Sequence, residues 1–183
     1  NRDSASIIGG IGDVYSQNGH KLIRAEQLVA AIAAVNERRI TFRAFRAYLA
    51  CHELLAIREA ADRVSKQARA DRKRRFRHSE LEVLLDGPDK GTSVSRELAA
   101  LKAAGLLTFT ESTIDAVRGA GETVELLGFL GSRGGSRLVP VPRQVLKFLA
   151  RCTRPALAKT IVAYLLRGLA LQRSGEIRSA GTV

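Results

Sequence analysis

The sequence predicts a mainly helical protein that carries a small β-hairpin. Apolar residues recur at helical spacing in several segments. Residues 93–105 read as a helix that ends at a glycine, and the residues after that glycine have the composition of a strand. Hydrophobic residues make up 45% of the 183 residues, which is an ordinary fraction for a folded protein.

Two helices are predicted before residue 60, after an irregular arm at residues 1–20 that is rich in Gly, Ser and Asn. The first covers residues 24–38, with the apolar positions Leu28, Ala31, Ile32 and Val35. Thr41 is the predicted N-cap of the second helix. One side of this second helix should be buried through Phe42, Phe45, Tyr48, Leu49, His52 and Leu55, and the polar residues elsewhere on it are Arg43, Arg46, Glu53 and Arg58.

A strongly basic run follows at residues 63–77, where eight of fifteen residues are Lys or Arg and one is Asp. Charge runs are usually solvated faces, but this one is unbalanced by acids, so a surface that faces an anion is an equal alternative. The candidate phosphate contacts of the run are Arg72, Lys73, Arg74, Arg75 and Arg77.

A short helix, a turn and a second helix come next. Ser79 with Glu82 three residues on predicts a capped helix over residues 79–85. Residues 86–91 have turn chemistry, and Thr92 or Ser93 then caps a helix that ends at Gly105. Its predicted inward residues are Val94, Leu98 and Leu101, and its predicted outward residues are Thr92, Arg96, Ala99, Ala100 and Ala103.

Strands are predicted at residues 106–110, 122–130 and 138–141. The last two should form a hairpin whose tip is the glycine-rich basic segment 131–137. Two further helices are expected, one over residues 142–152 and one that starts at Thr153 with Pro155 in its first turn. The apolar residues of these helices are Val145, Phe148 and Leu149 in the first, and Leu157, Ile161, Leu165 and Leu169 in the second.

The stretch from Ser93 through Phe109 resembles the recognition helix and first wing strand of winged helix-turn-helix DNA-binding domains. The resemblance covers residues 41–141, with an arm and helix at 1–40 before it and helices at 142–183 after it that serve dimerisation or begin a second winged helix. It implies contacts to a DNA groove from Thr92, Ser93, Ser95 and Arg96, with Lys102 beside them, and contacts from Arg133 and Arg137 at the wing tip. The basic, helix-flanked layout is also similar to plasmid replication initiators.

Charge and composition restrict the other classes of function. A net charge of +12 points to an anionic partner. Cys51 and Cys152 are expected to be reduced and buried, and His52 to be a satisfied core histidine. His78 is expected to neighbour a helix cap. No motif predicts a metal, a cofactor or an enzymatic reaction, and no apolar run is long enough to span a membrane.

The sequence therefore predicts a non-enzymatic protein that binds double-stranded DNA sequence-specifically, as a replication initiator or a transcription regulator. It is expected in the cytoplasm, associated with the nucleoid, and able to dimerise through its terminal helices, with no membrane and no small-molecule substrate. Two alternatives stay open. One is a basic RNA-binding protein associated with the ribosome, and the other is a winged-helix adaptor whose charge meets an acidic protein.

Overall fold

The computed structural model describes residues 19–64, 75–89, 92–113, 122–129 and 137–174. These residues form six helices and five short strands, so the described fold is mainly helical with small antiparallel sheets. The helices are α1 (Ala25–Asn36), α2 (Phe42–Val64), α3 (His78–Asp86), α4 (Ser95–Ala103), α5 (Arg143–Arg151) and α6 (Pro155–Ser174). The strands are β1 (His20–Arg24), β2 (Arg75–Arg77), β3 (Leu107–Thr113), β4 (Glu122–Phe129) and β5 (Leu138–Pro142).

Helix α2 is the centre of the fold, because α1, α3, α4 and α5 all pack on it. Thr41 caps it as predicted, since its Oγ1 accepts a hydrogen bond from the Ala44 amide at 3.1 Å. Every residue from 44 to 54 is buried. The prediction that Arg46 and Glu53 lie on a polar side away from the buried one is therefore wrong. A helix with neighbours on several sides has no free face there, and both charges are held by ion pairs, to Asp86 and to Arg143.

The basic run contains a strand that the sequence did not predict. Strand β2 pairs antiparallel with β4, which also pairs with β3, so the sheet order is β2-β4-β3. Phe76 is the buried member of β2 and supplies its hydrophobic anchor. The strands predicted at residues 106–110 and 122–130 correspond to β3 and β4, and they form a hairpin with each other.

The expected hairpin between residues 122–130 and 138–141 is wrong. Strand β5 pairs instead with β1, which was not predicted as a strand. Ile23 lies opposite Val139, and both are buried, so this two-stranded ribbon has one face in the core. The predicted tip at residues 131–136 lies outside the described residues, as does the arm up to residue 18.

Helix α3 begins one residue earlier than predicted and has a different cap. Strand β2 runs directly into it, so Arg77 is the extended N-cap residue and its amide donates to Glu80 Oε2 at 2.7 Å. The expected cap of Ser79 with Glu82 is therefore wrong, because Ser79 already lies inside the first turn.

Helices α5 and α6 are close to their predicted bounds. In α5 the buried residues are Leu146, Leu149 and Ala150, while Phe148 is 51% exposed. In α6 the fully buried residues are Ala158 and Val162, and the predicted Leu157, Ile161 and Leu165 pack at the edge of the core. The fourth predicted residue of that stripe, Leu169, has no described side chain.

The core holds both cysteines and a histidine, as expected. Cys51 and Cys152 are buried free thiols, and burial raises the pKa of Cys51 to about 12. The ring of His52 stacks on that of Phe129 with centroids 3.7 Å apart. Burial, with a smaller contribution from Lys21, lowers the pKa of His52 to about 3, so this ring is neutral. The expected hydrogen bond is missing, because neither of its ring nitrogens has a partner among the described residues.

Candidate nucleic-acid interface

Helix α4 divides cleanly into an inward and an outward face, as the sequence predicts. Val94, Leu98 and Leu101 are each 0% exposed and pack into the common core. The outward residues Thr92, Arg96, Ala99 and Ala103 are exposed, and Ala100 is half-buried. The outward face therefore combines small side chains with one long cation, and its backbone can be approached closely.

The end of α4 is fixed by Gly105, which has φ +71°. The Leu106 amide donates to the Leu101 carbonyl and the Gly105 amide to the Lys102 carbonyl, both at 3.0 Å, which is the Schellman pattern. The chain then turns directly into β3, where Leu107 is 0% exposed. This confirms the predicted glycine stop and sets the hairpin of β3 and β4 beside α4.

Arg43 of α2 holds the start of α4, and the sequence analysis had assigned it no role. Its Nη2 donates to Asp86 Oδ2 at 2.8 Å and to the Thr92 carbonyl at 2.9 Å. Its Nη1 donates to the Ser93 carbonyl at 3.1 Å and lies 2.9 Å from Glu97 Oε1. One guanidinium thus joins the end of α3, the turn and the first turn of α4.

The surroundings keep Arg43 charged. Partial burial opposes its charge, but hydrogen bonds and the charges of Asp86 and Glu97 more than offset this and raise the pKa of Arg43. Glu97 is the only acid in α4. It pairs with Arg43 on the side away from the outward face, and its side chain is only 13% exposed. The positive charge of Arg96 is consequently uncompensated by any acid on that face of α4.

The hydroxyls at the start of α4 form a short chain. Ser95 begins the helix and Val94 is its N-cap residue, so the predicted cap at Thr92 or Ser93 is wrong. The Ser95 amide donates to Ser93 Oγ at 3.4 Å. The two hydroxyl oxygens are 3.1 Å apart, and Ser95 Oγ is 3.3 Å from His78 Nδ1. His78 therefore adjoins the start of α4, whereas the Ser79 cap that it was expected to neighbour does not form. Ser93 is exposed, whereas Ser95 is half-buried against His78.

Lys102 lies on the same helix but bends toward the hairpin. Its Nζ donates to the Phe109 carbonyl at 3.2 Å and sits 5.0 Å from the centre of the Phe109 ring. Its charge is therefore positioned where α4 meets β3, near the base of the hairpin.

The remaining predicted contacts are spread over the chain. Arg77 is exposed at the start of α3. Arg75 belongs to β2, although its side chain is not described, and Arg72, Lys73, Arg74 and Arg133 lie outside the described residues. Arg137 is exposed just before β5, and its carbonyl accepts the Ala25 amide at 2.8 Å, which ties it to the ribbon and not to the hairpin.

The hairpin beside α4 is formed by β3 and β4, so the segment that connects its strands is not the predicted tip at residues 131–137. Thr113 lies opposite Glu122, so residues 114–121 join β3 to β4. Arg118 is the one Lys or Arg in that segment. Arg118 was not among the predicted contacts, because residues 131–137 were the predicted tip.

Within the described ranges, no three His, Cys, Asp or Glu side chains come together as a metal site. No helix in the described part of the chain is long and apolar enough to cross a membrane. Comparison of the chain with protein-family models, curated proteins and solved structures gave no match. Function therefore has to be inferred from the geometry of this chain.

Proposed function

We propose that this protein binds double-stranded DNA through a winged helix formed by α2, β2, α3, α4 and the hairpin of β3 and β4. Helix α4 enters the major groove with its outward face, and the hairpin of β3 and β4 lies beside the adjacent backbone. The protein acts as a replication initiator or a transcription regulator, and it carries out no chemical reaction on the DNA.

The observation that carries this proposal is the separation of the two faces of α4. Three apolar side chains on α4 or at its N-cap are completely buried, while the outward surface of the helix and of the residues just before it consists of small residues, hydroxyls and the cation Arg96. A helix with bulky outward side chains could not bring its backbone near the floor of a groove. The contacts of Arg43 fix the turn before α4, so this outward surface is held in one orientation.

The order of the elements also supports the proposal. A helix, a short strand, a short helix, a turn, a second short helix and an antiparallel hairpin follow one another, which is the order of a winged helix. Helix α4 contacts both α2 and β3, so the helix and the hairpin are presented together. The net charge of +12 supplies the general attraction to a polyanion.

The proposed contacts have different tasks. Arg96 reads base edges, and the hydroxyls of Thr92 and Ser93 bind phosphate at the start of α4. Lys102 contacts the backbone beside the hairpin. The basic run from Arg72 to Arg77 adds phosphate contacts, and Arg133 and Arg137 remain candidates for a second backbone contact next to the ribbon of β1 and β5.

The test is a fluorescence-anisotropy titration with random duplex DNA, single-stranded DNA and a structured RNA of equal length, at two salt concentrations. We expect the duplex to bind most tightly and its affinity to fall by roughly 10³- to 10⁵-fold between 50 and 200 mM salt if six to ten phosphates are contacted. Arg96→Ala should weaken binding by about tenfold. Arg167→Ala, an equal loss of charge at an exposed position on α6, is the matched control.

Three results would reject the proposal. Tighter binding of the structured RNA would favour the RNA-binding alternative, which needs the charge but no groove-fitting helix. Equal losses from Arg96→Ala and Arg167→Ala would mean that α4 is not the contact surface. No measurable binding to any of the three nucleic acids would favour the adaptor alternative.

A further inference from the structure

A pocket lies between α3 and α5, apart from the outward face of α4. Its volume is about 550 Å³, and its lining residues are Leu84, Lys147, Phe148, Arg151 and Cys152. This volume is within the range of about 300–1,000 Å³ that small-molecule sites usually have. Neither the winged helix nor the DNA contacts proposed above give this pocket a role.

The lining of the pocket combines apolar and cationic side chains. Phe148 is 51% exposed, which is unusual for a large aromatic side chain within a helix that packs on the core. Leu84 lies across from it on α3. A ligand with an apolar body would remove exposed Phe148 surface from water, and burial of such surface is favourable in proportion to its area.

Two cations border the pocket. Lys147 has a side chain that is 52% exposed, and Arg151 is exposed as well. Arg151 donates to the carbonyls of Val83 and Leu84 at 3.2 and 3.3 Å, so its guanidinium is held in place at the end of α3. A guanidinium that is already oriented by backbone contacts loses little freedom when it binds an anion.

Two acids near these cations, Glu53 and Asp86, already form ion pairs with other arginines. Glu53 Oε1 is 4.0 Å from Lys147 Nζ, but Glu53 is 0% exposed and is bound by Arg143 at 3.0 Å. Asp86 belongs to a second cavity that Arg151 also lines, and it is paired with Arg43 and Arg46. The five lining residues themselves include no acid. The pocket is therefore suited to a negative charge.

We propose that this pocket binds an amphipathic monocarboxylate, with its hydrocarbon part against Leu84 and Phe148 and its carboxylate between Lys147 and Arg151. A small ligand fits better than an acidic peptide. The large apolar side chains exposed on this side of α3 and α5 are Val83 and Phe148, which is little for an interface that needs about 800 Å² from each partner. The binding requires no DNA and is independent of the proposed function.

The first test uses the anionic dye 8-anilinonaphthalene-1-sulfonate, followed by fluorescence in 150 mM NaCl, with octanoate and octan-1-ol as competitors. We expect one dye site per chain and competition by octanoate at least about tenfold stronger than by octan-1-ol, because only the carboxylate meets the two cations. Lys147→Gln should remove most of the preference for octanoate while leaving competition by octan-1-ol unchanged.

Phe148→Ser should weaken binding of the dye by about tenfold, since the ring supplies much of the apolar lining. Tyr164→Ser is the matched control, because Tyr164 is 75% exposed on α6 and lies outside the pocket. The affinity of the Tyr164→Ser variant for the dye should stay within about twofold of that of the wild type. Because all three altered residues are exposed, their unfolding midpoints should be close to that of the wild type.

A second readout reports on the pocket directly. Cys152 lines it, so bound octanoate should slow the alkylation of Cys152 by N-ethylmaleimide at least about threefold. Cys51 is 0% exposed and serves as the internal reference for labelling through unfolding.

The proposal is overturned if Phe148→Ser and Tyr164→Ser bind the dye alike, if octan-1-ol competes as well as octanoate, or if octanoate leaves Cys152 unprotected. Dye binding that appears or vanishes only as the chain dimerises would instead assign this groove to a second copy of the protein, and that outcome also overturns the proposal.

Discussion

Arg43 Nη2 lies 2.8 Å from Asp86 Oδ2, although the two residues are 43 positions apart. Asp86 is the last residue of α3, and Arg43 is in the first turn of α2. Through this pair the central helix fixes the end of α3, and the same guanidinium then holds the two carbonyls that precede α4. The orientation of the outward face of α4 thus depends on a residue that is not on α4.

Removal of Asp86 should destabilise the protein measurably. Asp86→Ala leaves Arg43 without one partner and Arg46, whose side chain is 8% exposed, without its 3.3 Å contact. The expected loss is about 3 kcal/mol in the free energy of unfolding, measured by urea denaturation, because a nearly buried cation becomes unpaired. Asp89→Ala, in the exposed part of the same turn, is the control and should change stability by less than about 0.5 kcal/mol. Equal effects of the two changes would contradict the role assigned to Asp86.

The pair between Glu53 and Arg143 should show strong coupling. Glu53 is 0% exposed, and Arg143 Nη2 is 3.0 Å from its Oε1, so α5 is tied to α2 at this point. Arg143→Met should cost about 3–5 kcal/mol, since it leaves a buried carboxylate with only a distant lysine.

A double-mutant cycle separates this pair from general packing effects. Glu53→Gln combined with Arg143→Met should be markedly more stable than the sum of the single changes predicts, because no buried charge is left unpaired. Additive losses in urea denaturation would show that the two side chains do not stabilise each other.

His52 should make stability depend on pH below neutrality. Its pKa is about 3 in the folded protein against 6.5 for an ordinary histidine, so the unfolded chain binds the extra proton between these values. The contribution of His52 to stability is fully present above about pH 6.5 and is lost as the pH falls toward 3. The slope from this residue should approach about 1.4 kcal/mol per pH unit between pH 4 and 6.

The measurement is urea denaturation of the wild type and His52→Phe across that pH range. The difference between the two proteins isolates the histidine from the carboxylates, which titrate in both. A pH-independent difference would mean that His52 is not buried as a neutral ring.

Two glycines should respond to alanine in opposite directions. Gly105 has φ +71°, and an added Cβ would meet no atom within 4 Å, so Gly105→Ala carries a pure backbone penalty of about 1–2 kcal/mol. Gly168 lies within α6, and its Cβ would also be in open space, so Gly168→Ala should stabilise the protein by about 0.5–1 kcal/mol. Thermal unfolding checks both. A stabilising Gly105→Ala would show that the turn after α4 does not need the left-handed conformation.

Local signals in the sequence predicted α4, its two faces, the glycine stop and β3, because caps and periodicity are properties of neighbouring residues. The pairing of β1 with β5 was missed because those strands are more than a hundred residues apart, and neither has a turn signal that links it to the other. Strand β2 was hidden by its charges, since a three-residue strand with two arginines has too little apolar pattern to recognise.

The residues of the candidate site were likewise predicted where local signals mark them and missed where the contacts are long-range. Thr92, Ser93 and Arg96 became candidates because they lie just before or on a helix with recognisable periodicity. Arg43 was missed because its partners come from four other places in the sequence, and no spacing rule connects them. The expected wing was placed at residues 131–137 because the pairing of β3 with β4 was not predicted.

The central claim is that the outward face of α4 meets DNA, and one matched pair of substitutions tests it most directly. Ala99 and Ala163 are both exposed alanines within helices, Ala99 on α4 and Ala163 on α6. Each is changed to Glu, which lowers the net charge equally, and duplex affinity is measured by anisotropy in the same buffer. We predict that Ala99→Glu weakens binding by at least about 30-fold through repulsion of the phosphates and blockage of the groove, while Ala163→Glu changes it by less than about threefold. Equal losses from the two variants would contradict the claim and assign the binding to total charge.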